Sequence, residues 1–369
     1  MAFNINPSST QTKVPFNGHL NPNEVFGSIY NMIISQDVKY PKLVDNYGFV
    51  EMFRTDGSLF GDTKLFYAQD VLSSKDWKGD AEAQNLLSIE RPEDPKCQAI
   101  TIDQFRIIKT TLDNYLTKRA WSTEGAFSTF QGIVKSMIGN TKKLYEVGLV
   151  NTYLGTVQGG AATNSIEVPL SDITATGEEK NRLEAQTIAQ YLADLIVEMK
   201  DYSRNFNDYG FMRAYAESDL MVVWNSKFVN KINKIDLPTI FNKNGLMDKF
   251  AQHILPARYF GEINAEDGTA PSDNKTVRAA VEENFGGKHL FFGELLPNGA
   301  AYKAGQTYTV DEDVICKVIT KDTIKYMSAF ETATEFYNPQ TLTTSNMLIW
   351  GFAAPDRLLD EPCVTVHAD

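Results

Sequence analysis

The chain lacks most of the signatures by which a sequence reveals chemistry. Its 369 residues hold 3 cysteines, Cys97, Cys316 and Cys363, far apart and without a CxxC pair. Zinc sites and disulfide frameworks need tighter spacing, so these read as scattered buried or free thiols. The 4 histidines, His19, His253, His289 and His367, are too dispersed to suggest a metal site or a His-based triad. No phosphate-binding loop, HExxH, GxSxG or EF-hand pattern is present. Gly155 to Gly160 approximates the dinucleotide-binding glycine spacing, but it follows a helical pattern where that motif needs a strand. Without an apolar run near the length of a bilayer, no membrane span is expected. The first residues, MAFNINPSSTQTKVPF, have no basic region followed by an apolar stretch, which argues against a signal peptide and for maturation in a reducing cytoplasm. Positive charge is also scarce. Lys and Arg number 35 against 47 Asp and Glu, a net charge of −12, so the basic footprint of a dedicated nucleic-acid binder is missing.

What is present describes a large folded chain. Hydrophobic residues make up 43% and charged residues 22%, with 22 Phe, 16 Tyr and 4 Trp, which excludes wholesale disorder. The length suggests two or three domains, or one elaborated domain. The carboxylate pairs Glu178/Glu179, Glu282/Glu283 and Asp311–Asp313 read as solvated faces, and KFVNKINK (227–234) as one wet helix face. Nothing nominates a general acid, base or nucleophile.

Residues 1 to about 20 are polar and rich in Asn, Ser, Thr, Pro and Gly, an extended arm that buries little by itself. Asn21-Pro22 opens a short helix with Val25, Phe26, Ile29, Met32 and Ile33 on one face. From about 48 to 112 no helical period holds. The runs FRTDGSLFGDTKLFYAQDVL and CQAITIDQFRIIKTTL predict a long two-stranded excursion with a polar tip near Ser73–Asp80 or Glu90–Lys96. Such a hairpin cannot bury both faces alone. The spacing predicts a long helix over about 122–154, capped by Ser122 or Thr123, with Phe127, Phe130, Val134, Met137, Ile138, Thr141, Leu144, Tyr145 and Leu149 on its apolar stripe. Gly125, Gly132 and Gly139 recur by sevens, followed by Gly148 and Gly155. Either another backbone approaches along that stripe, or the helix tolerates the repeats.

NSIEVPL (164–170) reads as a strand. Thr176-Gly-Glu-Glu179 forms a capping-box pattern ahead of a helix over about 177–201, striped by Leu183, Thr187, Tyr191, Leu195 and Met199, with Ile188, Leu192 and Ile196 beside them. DLMVVWN predicts a buried strand followed by the helix SKFVNKINKI. ILPARYFGEI and HLFFGELL predict strands around a polar insertion, and VDEDVICKVITKDTIKYM, NMLIWGFAA and CVTVHA supply the last strands.

This order of parts resembles an HK97-like major capsid protein of a tailed bacteriophage, in flavour nearest those of small podophages and related gut phages. GDTKLFYAQDVLSSKDW (61–77) resembles the outgoing arm of the family's extended loop, and the 122–155 helix its spine helix. DLMVVWNSKFVNKI resembles the strand and helix of the axial domain. VICKVITKDTIKYMSAFETATEFYNPQTLTTSNMLIWGF resembles the C-terminal return through the peripheral domain. The resemblance implies an α+β fold divided into an N-terminal arm and short helix (1–47), an extended β-hairpin loop (48–112), a peripheral domain with the spine helix (113–176), an axial domain (177–318) and a C-terminal return (319–369).

It also implies a non-catalytic shell subunit without cofactor or metal, forming hexamers and pentamers around double-stranded DNA in a virion assembled in the bacterial cytoplasm. A portal and decoration proteins are the implied partners, with either a separate scaffolding protein or none. An acidic wall suits that role, because it does not grip the genome through many phosphate contacts. The intersubunit contacts would fall on Phe3 and Phe16 of the arm, on Phe60, Leu65, Tyr67 and Trp77 of the loop, and on Gly125, Gly132 and Gly139 of the helix. Lys64, Lys75 and Lys78 occupy the loop where one type of relative cross-links its subunits. Two other readings remain: an encapsulin-type nanocompartment, and a cytosolic α/β enzyme with a carboxylate-based site.

Overall fold

The computed structural model describes residues 47–57, 63–76, 89, 91–102, 104–113, 124–160, 164–233, 251–264, 307–353 and 355–369. The arm, the helix expected after Asn21, the strand HLFFGELL and the polar insertion before it lie outside the described residues. So do Phe3, Phe16, Phe60 and Trp77. No described helix is long and apolar enough to cross a membrane. Two compact units result. One comprises residues 1–43, 108–139 and 333–348, and the other 44–107, 140–332 and 349–369.

The larger unit is organised by a mixed sheet and one helix. Its strands are β5 (Ser165–Val168), β6 (Leu220–Asn225), β7 (Ala251–Leu255), β10 (Val314–Thr320) and β14 (Cys363–Ala368). They lie in the order β5-β14-β10-β6-β7. The central strand β10 is antiparallel to β6 and β14, while β5 runs parallel to β14 and β7 parallel to β6. β6 and β10 are buried along their whole length, as their continuous apolar runs require of strands covered on both faces. Asn225 ends β6 and starts the next helix. Its Nδ2 donates to the Val314 carbonyl at 2.9 Å, and its Oδ1 accepts from the Lys227 amide at 3.0 Å. It thereby caps the helix Ser226–Asn233.

The long helix expected next to β5 spans Glu178–Lys200. Ala185, Ile188, Leu192, Leu195, Ile196 and Met199 pack into one core with Val222, Trp224, Ile315, Val318, Val364 and Val366 of the sheet. The buried stripe therefore sits one step round from the expected one, and Tyr191 is exposed. The capping box is not formed. Gly177 is the cap, with φ of +69°, and no side chain bonds the first turn. A glycine admits that left-handed backbone cheaply, and Glu178 and Glu179 face the positive end of the helix dipole instead.

Residues 47–53 overturn the expectation that no helix interrupts 48–112. Tyr47–Phe53 form a helix, here α1. Seven residues are too few to show a period, and such a helix is held by packing. Val50 and Phe53 are buried, and the Phe49 ring stacks on His253 at 3.5 Å. After α1, β1 (Arg54–Asp56) pairs in parallel with β11 (Ile324–Asn338). CQAITIDQFRIIKTTL, read as one strand run, divides into β3 (Lys96–Thr101) and β4 (Gln104–Asp113). β3 pairs β2 (Thr63–Ala68) in a two-stranded sheet, whereas β4 joins the sheet β1-β11-β12-β4, in which β12 is Thr343–Phe352. The two-residue strand β13 (Asp356–Arg357) pairs β11, and β8 (Gly261–Asn264) pairs antiparallel with β9 (Thr307–Val310).

The long helix α2 runs Glu124–Thr156, close to the expected span. Its C-terminal half is buried nearly all round rather than on one stripe, which explains the polar residues inside it. The fully buried Glu146 accepts from Arg54 of β1 at 3.0 Å and from the Tyr326 hydroxyl of β11 at 2.9 Å. Lys142 stands 3.8 Å from Glu146 and bonds Glu331 at 2.5 Å. At the helix end, the buried Lys317 of β10 donates to the carbonyls of Gly155, at 2.8 Å, and Val157. A Cβ on Gly155 would lie 1.8 Å from the Tyr259 carbonyl oxygen. Glycine is obligatory there.

The glycines of α2 thus serve different ends. Gly132 and Gly139 are exposed, and a Cβ on either would meet nothing within 4 Å. Gly155→Ala is expected to destabilise the subunit by about 1–3 kcal/mol or more through overpacking. Gly132→Ala should leave it unchanged or stabilise it by up to about 1 kcal/mol. Glu146→Ala, which removes the buried acceptor shared by Arg54 and the Tyr326 hydroxyl but leaves Arg54 its ion pair with Glu51 at 3.2 Å, should cost about 1–3 kcal/mol. Urea denaturation of the three variants checks the ranking.

Candidate functional site

Among the described residues no cluster of His, Cys, Asp or Glu could hold a metal ion. The glycine pair that imitates a dinucleotide loop is already filled from within. Asp208 accepts from the Gly160 amide at 3.1 Å and pairs with Arg357, and a Cβ on Gly160 would lie 2.7 Å from its carboxylate. Exposed apolar surfaces are the candidates that stand out among the described residues.

The foremost is the hairpin β2–β3. Thr63 to Ala68 pair antiparallel with Thr101 to Lys96, placing Leu65 opposite Ala99 and Tyr67 opposite Cys97. The pleat sends alternate residues to opposite faces. On the inner face, Phe66 and Ile100 pack with Ile102, Met327, Ala353 and Leu358. The outer face holds Thr63, Leu65, Tyr67, Cys97, Ala99 and Thr101, all exposed, with Leu65 at 49% and Tyr67 at 66%. Val71, Leu72 and Ile89, beyond the paired strands, are exposed as well.

The root of this hairpin is fastened by charge. Asp70 accepts from the Met212 amide at 2.9 Å and from Arg204. These bonds, the Met212 amide first, lower its carboxyl to about 2. Arg213 donates to the Gln69 carbonyl and to Asp360, each at 3.0 Å. On the other strand, Gln98 donates to the Arg357 carbonyl at 2.7 Å and accepts from the Leu359 amide at 3.1 Å. A two-stranded sheet is marginal in water by itself. Here one face is packed and the root is clamped, while the outer face is exposed.

Of the residues nominated from sequence, Leu65 and Tyr67 lie together on that outer face. Gly132 and Gly139 lie on exposed positions of α2, and Gly125 is in its first turn. Sequence reading missed the clamp at the root, and it missed a second exposed apolar group, Phe336, Tyr337 and Leu342, around the turn from β11 to β12. Leu342 adopts a φ of +53°, a conformation disfavoured for a branched side chain. No short motif encodes either feature.

Solved phage capsid chains share this architecture. The chain is similar to the capsid protein of Staphylococcus phage Andhra, with 10% identity, a TM-score of 0.57 and coverage of 91% of this chain and 88% of that one. It is similar to the capsid chain of cyanophage Pam1, with 10% identity, a TM-score of 0.53 and coverage of 92% and 97%. For the mature capsid of bacteriophage PhiM1 the values are 11%, 0.50, and 91% of each chain. The fold is thus that of HK97-like phage capsid proteins, an α+β architecture. A comparison with curated protein sequences returns no match. The family model for Phi29-like phage major capsid proteins matches residues 7–352, and the chain belongs to that family. It is the major structural protein of a phage head, and its place is the capsid of the virion.

Asp70→Asn is expected to loosen the hairpin root without unfolding the subunit. Hydrogen exchange should accelerate in 63–68 and 96–101, while the core strand β10 keeps its protection. Because the Asp70 carboxyl is lowered on folding, its contribution is complete above its ordinary value of 3.8 and is lost as pH falls toward 2. The wild-type hairpin should therefore approach the variant's exchange behaviour in that acid range.

Proposed function

We propose that the chain assembles, without catalytic activity, into hexamers and pentamers that close an icosahedral head around phage double-stranded DNA. Family membership supports the shell role, and the uncovered outer face of β2–β3 is the single structural observation that points to how copies join. A packed, clamped ribbon that leaves Leu65 and Tyr67 in water is hard to rationalise in a monomer, and burying it against a neighbour removes that apolar area from water. Each contact can be weak, because closure of the shell raises the effective concentration of every other. Heterologous contacts must close for this to give a finite particle.

The domain reading follows the family layout: an arm and short helix over 1–47, an extended loop within 48–112, a peripheral domain over 113–176 and 319–369, and an axial domain over 177–318. The arm residues Phe3 and Phe16, the loop residues Phe60, Leu65, Tyr67 and Trp77, and the helix glycines Gly125, Gly132 and Gly139 are the proposed intersubunit contacts. Assembly takes place in the host cytoplasm, with scaffolding, portal and decoration proteins as further partners. The net charge of −12 favours a wall that encloses DNA without gripping it.

Light scattering and electron microscopy of the purified protein test the reading. Megadalton particles or capsomers are expected, and a monomer or dimer under all conditions would overturn it. Deleting residues 1–20 should impair shell formation while leaving the circular dichroism of the subunit intact. Gly132→Leu should lower particle yield by placing bulk where a neighbour comes close, and an unchanged yield would remove that glycine from the interface.

A further inference from the structure

A groove of about 340 Å³ lies beside the clamped root of the hairpin, a size at which small ligands are held. Phe66 and Tyr67 of β2 line it from the hairpin, and Tyr209 and Leu358 from the rest of the larger unit. Three carboxylates, Asp322, Asp360 and Glu361, share it with one amine, Lys325. Two of the carboxylates are matched. Asp322 pairs with Lys325 at 2.5 Å, and Asp360 with Arg213 at 3.0 Å. Glu361 accepts a hydroxyl bond from Thr320 at 2.7 Å and forms no ion pair among the described residues.

The shortage of positive charge shows in the proton affinities. The carboxyls of Asp360 and Glu361 and the hydroxyl of Tyr209 are all pushed up, first by burial, and the charge of Asp360 adds to the rise in the other two. The aromatic wall is already compatible with a cation, since the Lys64 ammonium lies 5.7 Å from the centre of the Phe66 ring. Depth orders the acidic groups. Asp322, with 72% of its side chain in water, marks the open end, whereas Glu361 is half-buried. A hard metal ion is a poor match, because it needs several oxygens converging on one point and no described cluster offers them. The better match carries positive charge at separated points with methylenes between them.

We infer that the groove binds an aliphatic polyamine, with one ammonium at Glu361, its methylenes along Phe66, Tyr67, Tyr209 and Leu358, and a second ammonium at the open end by Asp322. The site is complete within one chain and does not depend on how copies join. Because the hairpin and the rest of the unit both line it, a bound polyamine adds to the clamp made by Asp70, Arg213 and Gln98.

Spermidine is the probe. The purified full chain, free and in particles, is titrated by calorimetry at physiological salt, where diffuse attraction to an acidic surface is screened. A single saturable site per chain is expected, together with slower hydrogen exchange in 63–68 and 96–101. Glu361→Gln should weaken binding by about tenfold or more, as loss of a charged hydrogen-bond partner does. Tyr209→Leu should weaken it severalfold by removing an aromatic wall. Glu178→Gln, which removes the same charge from the exposed start of the helix Glu178–Lys200, should leave it unchanged. Should Glu361→Gln fail to fold, the exposed Asp322→Asn reads the open end, with a severalfold loss expected. Absence of saturable binding, equal weakening by Glu178→Gln, or binding that leaves the hairpin's exchange unaltered would overturn the site. So would binding to free chains that disappears in intact particles, which would assign the groove to a side chain of a neighbouring copy instead.

Discussion

The larger unit depends on how the C-terminal end of α2 is seated. That end carries carbonyls with no partner inside the helix, and they are delivered into the protein interior. Lys317, in the middle of the central strand β10, supplies the donors. Burial pulls its amine down to about 8 from the usual 10.5. The cost of placing an ammonium there is offset by two carbonyl acceptors and by the negative end of the helix dipole. Gly155 is then fixed by the Tyr259 carbonyl lying against it, and Glu146 by Arg54 and Tyr326 two turns earlier. Strand, helix and turn are thus joined at points where neither a larger side chain nor an uncharged one would serve.

From that seat the division between stable and available surface follows. The buried sheet and the helix Glu178–Lys200 hold the core. The hairpin β2–β3 contributes one face to the fold and withholds the other, with its root held by Asp70, Arg213 and Gln98 rather than by additional strands. A scaffold of this kind presents a firm surface for contact while leaving the contact itself to be completed by another molecule.

Much of this was legible in the residues. The apolar run of β6, the long helix α2 and the alternation of Leu65 and Tyr67 follow from local period, and local period survives folding. The failures have physical causes. α1 is too short to show a stripe and forms because Val50 and Phe53 find a core. The capping box at Thr176 lost to a glycine that could take a positive φ. The clamp was invisible because its partners are distant in sequence, as Asp70 and Arg204 are, and no pattern in either segment requires the other. The glycine pair that imitated a cofactor loop was distinguished in sequence only by its context, and the carboxylate of Asp208 now accounts for it.

One detail of the hairpin gives the chain a reporter of its own. Cys97 stands opposite Tyr67 on the uncovered face, while Cys316 and Cys363 are buried, with thiols pushed up by that burial. Thiolate is the reactive form, so the buried pair is chemically silent under conditions in which Cys97 reacts. The rate at which a mild thiol reagent consumes one equivalent per chain is therefore a direct clock of how often that face is bare, readable on the native protein without any added label.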